Sequence, residues 1–299
     1  PSPPRMIKLG NGLASQRATA QPVAGSIKAR LKRIYAALEV ELVLRHPRGV
    51  ILFTAAKSGS TTLETTLFYA AVPKIKLHSL LPRSDWDINR WPSLSKMPRN
   101  AYVEEAFFRH LQNPNLHRVK IISLVREPIS RFLSSCFQPP NSFKFQGLDL
   151  QQTLARAHAL YVDPPFRMVA TKFFDREIEP SLGGSVFDFP FDAQQGYGYA
   201  ALPRADVLIM RTERLAQLEH VISDFIGRRI KLTRERNVRS ETPAAEQYRA
   251  LRKHFRLSPE QLDALSASRH VQHFFTPQEI EEMRARWCSE PASRFTDAG

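Results

Sequence analysis

The chain has 299 residues, 42% of them apolar, which is enough to bury a sizeable core and argues against global disorder. Its formal net charge of +14 points to an anionic partner: nucleic acid, an acidic polymer, a phosphorylated cofactor or a membrane surface. Cys136 and Cys288 are the only cysteines, too few for a disulfide framework and without metal-ligand spacing, and they fit a reducing compartment such as the cytoplasm. No apolar run approaches the length of a membrane span, and no signal peptide is visible. The sequence starts at Pro1 rather than Met, which leaves room for a removed N-terminal anchor and a Golgi-lumenal setting.

Residues 1–25 carry Pro, Ser, Gln and Gly with little periodicity and predict a mobile arm ahead of a single domain spanning 26–299. From Ser26 the pattern is helical. Ile27, Leu31, Ile34, Leu38 and Leu42 share one face, while Lys28, Arg30, Lys32 and Arg33 fall mostly elsewhere and read as a solvated face. Val50 to Phe53 is short, apolar and β-rich, a buried parallel strand. Small and hydroxyl residues around one lysine follow, Thr54 to Thr62, and Leu63 and Leu67 then recur at helical spacing.

Further on, Lys74 to Leu80 predicts a short strand and 82–100 a loop. Ala101 to Phe108 is ambiguous between strand and helix. Arg118 to Val125 is a second buried strand, with Pro128 placed for a first helical turn. Leu150 to Val162 predicts an amphipathic helix, and 163–204 long loops with short strands that form an insertion on the acceptor side. Asp206 to Met210 is a third core strand, and Leu215 to Ile226 a helix ended by Gly227. Ser258-Pro259-Glu260-Gln261 and Thr276-Pro277-Gln278-Glu279 are both capping boxes with Pro at the first helical position. Alternating strands and helices predict an α/β fold with a central, mainly parallel sheet covered on both faces.

Strand, tight loop and helix make an anion site of Lys57 to Thr62. The first N–H groups of a helix have no internal partner, and the helix dipole favours negative charge there. Gly59 permits a close turn. Ser58, Ser60, Thr61 and Thr62 add hydroxyls, and Lys57 adds a full positive charge. Taken alone, the stretch also matches an ordinary buried strand followed by an N-capped helix. It is no Walker A loop, because the glycine follows the lysine instead of preceding it. A second half lies in Ser123 to Phe137. Arg126 stands at the end of a buried strand, where α/β ligand sites lie, and Ser134 about two turns into the next helix. Guanidinium and hydroxyl so placed can hold one phosphate, and Arg131 between them adds charge or pairs with a carboxylate. Together the two halves predict a ligand with two separated phosphates.

In these residues the chain resembles the sulfotransferases that use 3′-phosphoadenosine 5′-phosphosulfate (PAPS). Ala56-Lys57-Ser58-Gly59-Ser60-Thr61-Thr62 is similar to their 5′-phosphosulfate loop, P-K-S/T-G-T/S-T, with Ala56 in place of Pro. Arg126-Glu127-Pro128 through Arg131 and Ser134 is similar to their 3′-phosphate motif, R-D-P-x-x-R-x-x-S, with Glu127 in place of Asp. Phe173 to Ile178, Asn237-Val238, and His273 to Thr276 with Trp287 resemble a bacterial group associated with capsular polysaccharide synthesis. The resemblance implies a P-loop-like three-layer fold and transfer of a sulfuryl group from PAPS to a hydroxyl acceptor, with a carbohydrate as the leading choice. It implies no metal. Lys57 would stabilise the leaving phosphate, Ser58 to Thr62 would hold the 5′-phosphate, and Arg126 and Ser134 the 3′-phosphate. Related carbohydrate enzymes carry the general base as Glu or His upstream of the second motif. Glu104 is the first candidate here and His78 the second; Glu64 could as easily be a surface residue.

Three readings compete with a carbohydrate sulfotransferase. One is a sulfotransferase for a small molecule, lipid or tyrosine. Another is a non-catalytic phosphate- or nucleotide-binding module, disfavoured by the glycine placement. The last, a nucleic-acid binder, lacks a recognition motif or an aromatic–basic stripe. His270 and His273 have H-x-x-H spacing, but no third ligand is evident and the neighbourhood is apolar, which favours packing over a metal.

Overall fold

The computed structural model describes residues 27–55, 57–80, 99–113, 118–137, 145–162, 171–233 and 243–289. The arm at 1–25, Ala56, the loop at 82–98 and Asn237-Val238 lie outside the described residues. Six strands form one sheet: β1 (Val50–Phe53), β2 (Lys74–Leu77), β3 (Val119–Val125), β4 (Phe191–Asp192), β5 (Tyr197–Ala201) and β6 (Ala205–Arg211). Their order is β2-β1-β3-β6-β5-β4. β2, β1, β3 and β6 run parallel, and β5 and β4 add an antiparallel edge.

Buried faces explain the apolar runs. Ile51 and Phe53 of β1, Ile121 and Val125 of β3, and Val207 and Ile209 of β6 enter one core. Val50 and Leu52, Ile122 and Leu124, and Leu208 and Met210 enter the other. A strand covered on both sides has no polar face to show in its sequence.

The smaller core is closed by α2 (Ser60–Tyr69) and α7 (Glu219–Ile226) through Leu63, Leu67, Val221 and Ile222. The larger takes α1 (Ile27–Arg45), α3 (Arg99–Leu111), α4 (Pro128–Cys136), α5 (Leu150–Val162) and α6 (Phe173–Leu182). The carboxyl-terminal helices join it: α8 (Pro243–His254), α9 (Pro259–Ser266), α10 (Arg269–Phe274) and α11 (Pro277–Trp287). Trp287, Phe255 and Phe274 are wholly buried there. Both capping boxes are formed, Ser258 with Gln261 and Thr276 with Glu279.

Three elements differ from the sequence reading. The segment 163–204 contains the helix α6 instead of only loops and strands; Pro180 sits near its end, where one lost backbone bond is tolerated. The predicted helix at 215–226 is divided into a 3₁₀ stretch, Thr212–Gln217, and α7. Most notably, α1 turns Ala36, Val40 and Val43 inward and leaves Ile27, Leu31, Ile34, Leu38 and Leu42 exposed. The small inward residues let α1 pack closely on α3. No helix among the described residues is long and apolar enough to cross a membrane.

His270 is buried in the aromatic layer, stacked on Phe174 and edge-on to Phe274 at 5.0 Å. Burial, with Arg131 and His273 nearby, pushes its pKa down to about 3. The ring is therefore neutral in the fold but protonates in the unfolded chain below about pH 6.5. Stability contributed by this residue is complete above that pH and is lost as pH falls toward 3. Urea denaturation at pH 7 and pH 5 should show a loss of about 2 kcal/mol that is absent in His270→Phe, where no proton can be taken up.

Candidate active site

The strand order creates the site. From β1 the chain crosses through α2 to β2 on one side, and from β2 through α3 to β3 on the other. The carboxyl ends of β1 and β3 thus lie at a topological switch point, where α/β sheets bind ligands. Lys57 to Thr62 leave β1 at that edge, and Arg126 leaves β3 there.

The two motifs touch. Arg126 Nη1 donates to the Lys57 carbonyl at 3.0 Å, joining residues 69 apart in the chain. The adjacent Ser58 carbonyl accepts from Thr212 Oγ1 at 2.7 Å, just past the end of β6. Lys57 and Gly59 both have positive φ, 69° and 78°. This is an unfavourable conformation for lysine, and it turns the chain sharply into α2. Gly59 is the N-cap of α2, and no side chain caps that helix. A Cβ built on Gly59 would lie 2.7 Å from Thr212 Cγ2. Ser60 is buried, Thr62 half-buried and Thr61 exposed. Ser58 Oγ and Thr54 Oγ1 are buried without a hydrogen-bond partner among the described residues.

On the other side, Glu127 is the N-cap of α4. Its carboxylate accepts from the Ile129 and Ser130 amides and the Ser130 hydroxyl. Burial raises its pKa. The substitution of Glu for Asp therefore preserves a capping group. Its amide donates to Glu213 at 2.9 Å. Arg131 is buried on α4, and burial followed by the nearby Arg126 lowers its pKa to about 10. Neither arginine forms an ion pair with a carboxylate among the described residues. Ser134 is half-buried on the same helix.

The candidate bases meet at the end of β2. His78 is half-buried, and its ring Nδ1 lies 2.9 Å from the Thr54 carbonyl, three residues before Lys57. A carbonyl can only accept, so Nδ1 is the donor in this bond. Glu104 lies on α3, 9% exposed, and accepts from the His78 amide at 3.0 Å. Glu64 pairs with Lys76 at 2.8 Å, the surface alternative. Glu177 on α6, 2% exposed, receives the Ser79 hydroxyl and the Leu80 amide and anchors the chain beyond β2.

Sequence reasoning missed Thr212, Glu213, Arg211 and Glu279. Arg211 is 4% exposed, bonded to Glu279 at 2.5 Å and stacked over Phe275 at 4.3 Å. Burial would raise the Glu279 pKa, but the Thr276 amide and Arg211 outweigh it and leave it lowered. These contacts tie the end of β6 to the start of α11. The available signal was positional: a hydroxyl and an acid directly after a third apolar strand.

Residues 146–276 match the NKWYS family, described as "putative capsular polysaccharide synthesis protein". The matched stretch is similar to that family and includes Glu177, Arg211 and Thr212, but starts downstream of Lys57 and Arg126. No curated protein and no solved structure gave a match.

The packing of Thr212 against the loop is open to test. Gly59→Ala should cost about 1–3 kcal/mol from a strained φ and the clash with the Thr212 methyl. Adding Thr212→Ser, which removes that methyl and keeps the hydroxyl, should recover part of the loss. Thr212→Val, which removes the bond to Ser58, should cost about 1 kcal/mol. Urea denaturation midpoints of the three variants beside wild type check the set.

Proposed function

We propose that this protein transfers the sulfuryl group of PAPS to a hydroxyl of a carbohydrate. The observation that carries the reading is the Arg126–Lys57 hydrogen bond, which joins the segments that follow β1 and β3. The similarity of residues 146–276 to a capsular polysaccharide family supports a carbohydrate acceptor.

The residues fit a nucleotide with two phosphate groups. The first turn of α2 has no side-chain cap, Lys57 stands beside it, and Arg126 and Arg131 bring cationic charge to the end of β3. PAPS would supply a sulfuryl group already activated by its link to the 5′-phosphate. The first-turn amides of α2, with Ser58 to Thr62, hold that phosphate. Lys57 neutralises charge that develops on the phosphate oxygen as the sulfur–oxygen bond breaks. Arg126 keeps further N–H donors beyond the one spent on Lys57, and with Ser134 it grips the 3′-phosphate and so selects against ATP.

His78 is the base in this reading, in preference to Glu104. The carbonyl of Thr54 fixes its tautomer, and Nε2 takes the proton of the acceptor hydroxyl as the new sulfur–oxygen bond forms. Glu104 holds the His78 backbone in place and acts through it.

A thermal-shift titration with 3′-phosphoadenosine 5′-phosphate beside ATP and AMP tests the binding half. Stabilisation by the bisphosphate alone is the expected result. An equal shift with ATP would remove the 3′-phosphate assignment. For the chemistry, Lys57→Ala should lose turnover by a factor on the order of 10²–10³ and remain folded. His78→Asn, which can keep the bond to Thr54, should lose turnover with nucleotide binding intact. Glu104→Gln, which retains an acceptor for the His78 amide, should keep most of it. The reverse ranking of these two variants would return the base to Glu104.

A further inference from the structure

Among the described residues, the outer face of α1 has no packing partner. Ile27, Leu31, Ile34, Tyr35, Leu38 and Leu42 are 78%, 49%, 55%, 70%, 55% and 71% exposed. Their combined exposed area is on the order of 700–800 Å², above the ~300–600 Å² of the largest apolar patch on a typical monomer. It approaches the ~800 Å² that each partner contributes to a stable interface.

We infer that this stripe is a self-association surface, on which α1 of a second copy packs antiparallel across a two-fold axis. The orientation follows from charge. The first half of α1 carries Lys28, Arg30, Lys32 and Arg33, and the second half carries Glu39 and Glu41 with Arg45. Parallel pairing would set the basic half against itself. Antiparallel pairing sets it against the two glutamates.

The register follows from the apolar spacing. Ile27 falls opposite Leu42 of the second copy, Leu31 opposite its Leu38, and Ile34 opposite its Tyr35. At about 100° per residue, Arg30 and Glu41 flank the stripe on one side and Lys28 and Glu39 on the other. A two-fold axis perpendicular to the helices brings like flanks together. Arg30 then lies beside Glu41 of the second copy, within two residues in height. Glu41 is 41% exposed and already bonded to Arg45 of its own helix, so the added guanidinium completes a network. A bilayer with anionic headgroups would match the basic half but would repel the glutamates bordering the stripe.

Sedimentation equilibrium of the full chain, at about 0.15 M salt to screen its net charge, is the first test. A reversible monomer–dimer equilibrium is expected, and Leu31→Glu with Leu38→Glu should be monomeric, with the melting temperature of wild type diluted below its dissociation constant. Arg30→Glu should weaken the dimer about tenfold, and adding Glu41→Arg should restore it. In a Cys288→Ser background, Leu31→Cys mixed with Leu38→Cys should cross-link, whereas Leu31→Cys alone should not. Two Leu31 positions lie about 10 Å apart along the axis in this register, beyond disulfide reach. Cross-linking of Leu31→Cys alone would overturn the antiparallel arrangement. A wild-type chain that stays monomeric would overturn the proposal, and flotation with anionic vesicles would then assign the stripe to a membrane surface.

Discussion

Two backbone carbonyls, those of Lys57 and Ser58, organise the edge of the sheet at the carboxyl ends of β1, β3 and β6. Each accepts a hydrogen bond from a different strand end, Arg126 after β3 and Thr212 after β6. With those acceptors engaged by protein donors, the loop turns through two positive φ angles and enters α2 without a side-chain cap. A loop whose acceptors are satisfied and whose helix offers amide donors is suited to an anion and not to a cation. The left-handed Lys57 is held there by contacts from outside its own segment, as strain at a functional loop requires.

The same tethers join charges that would otherwise repel. Arg126 lies close enough to Arg131 to help lower its pKa, and Arg131 is buried. At about 10 that pKa still leaves the guanidinium charged at neutral pH. Two acids at this end of the sheet have other partners: Glu127 caps α4 and receives Ser130, and Glu213 accepts the Glu127 amide. Paired cations without a carboxylate between them are expensive to bury, and a phosphate between them would offset that cost.

Much of this was legible in the sequence because it is local. β1 is a continuous apolar run, β3 and β6 are apolar but for Lys120, Ser123, Asp206 and Arg211, and both capping boxes declare themselves within four residues. Long-range features left no such trace. Thr212 bonds to a residue 154 positions away, and nothing around it distinguishes it from any hydroxyl after a strand. Glu279 reads fully as a capping-box residue, which hides its second role on Arg211. α1 has apolar residues on two faces, large ones outward and small ones inward. Size drew the reading to the wrong face, because close packing on α3 selects Ala36, Val40 and Val43 over bulkier leucines.

The extent of the family similarity gains a physical meaning from these contacts. Residues 146–276 hold neither phosphate motif, yet they supply what holds the motifs in shape. Thr212 grips the Ser58 carbonyl, Glu213 the Glu127 amide, and Glu177 the chain that leaves β2 beyond His78. Thr276, the last matched residue, is the N-cap of α11 and accepts from the Glu279 amide, while Glu279 in turn fixes Arg211 at the end of β6. The matched region thus buttresses the segments that follow the preceding strands β1 and β3. The Thr212 and Glu213 bonds reach the backbone of the segments that follow β1 and β3 and so constrain its shape.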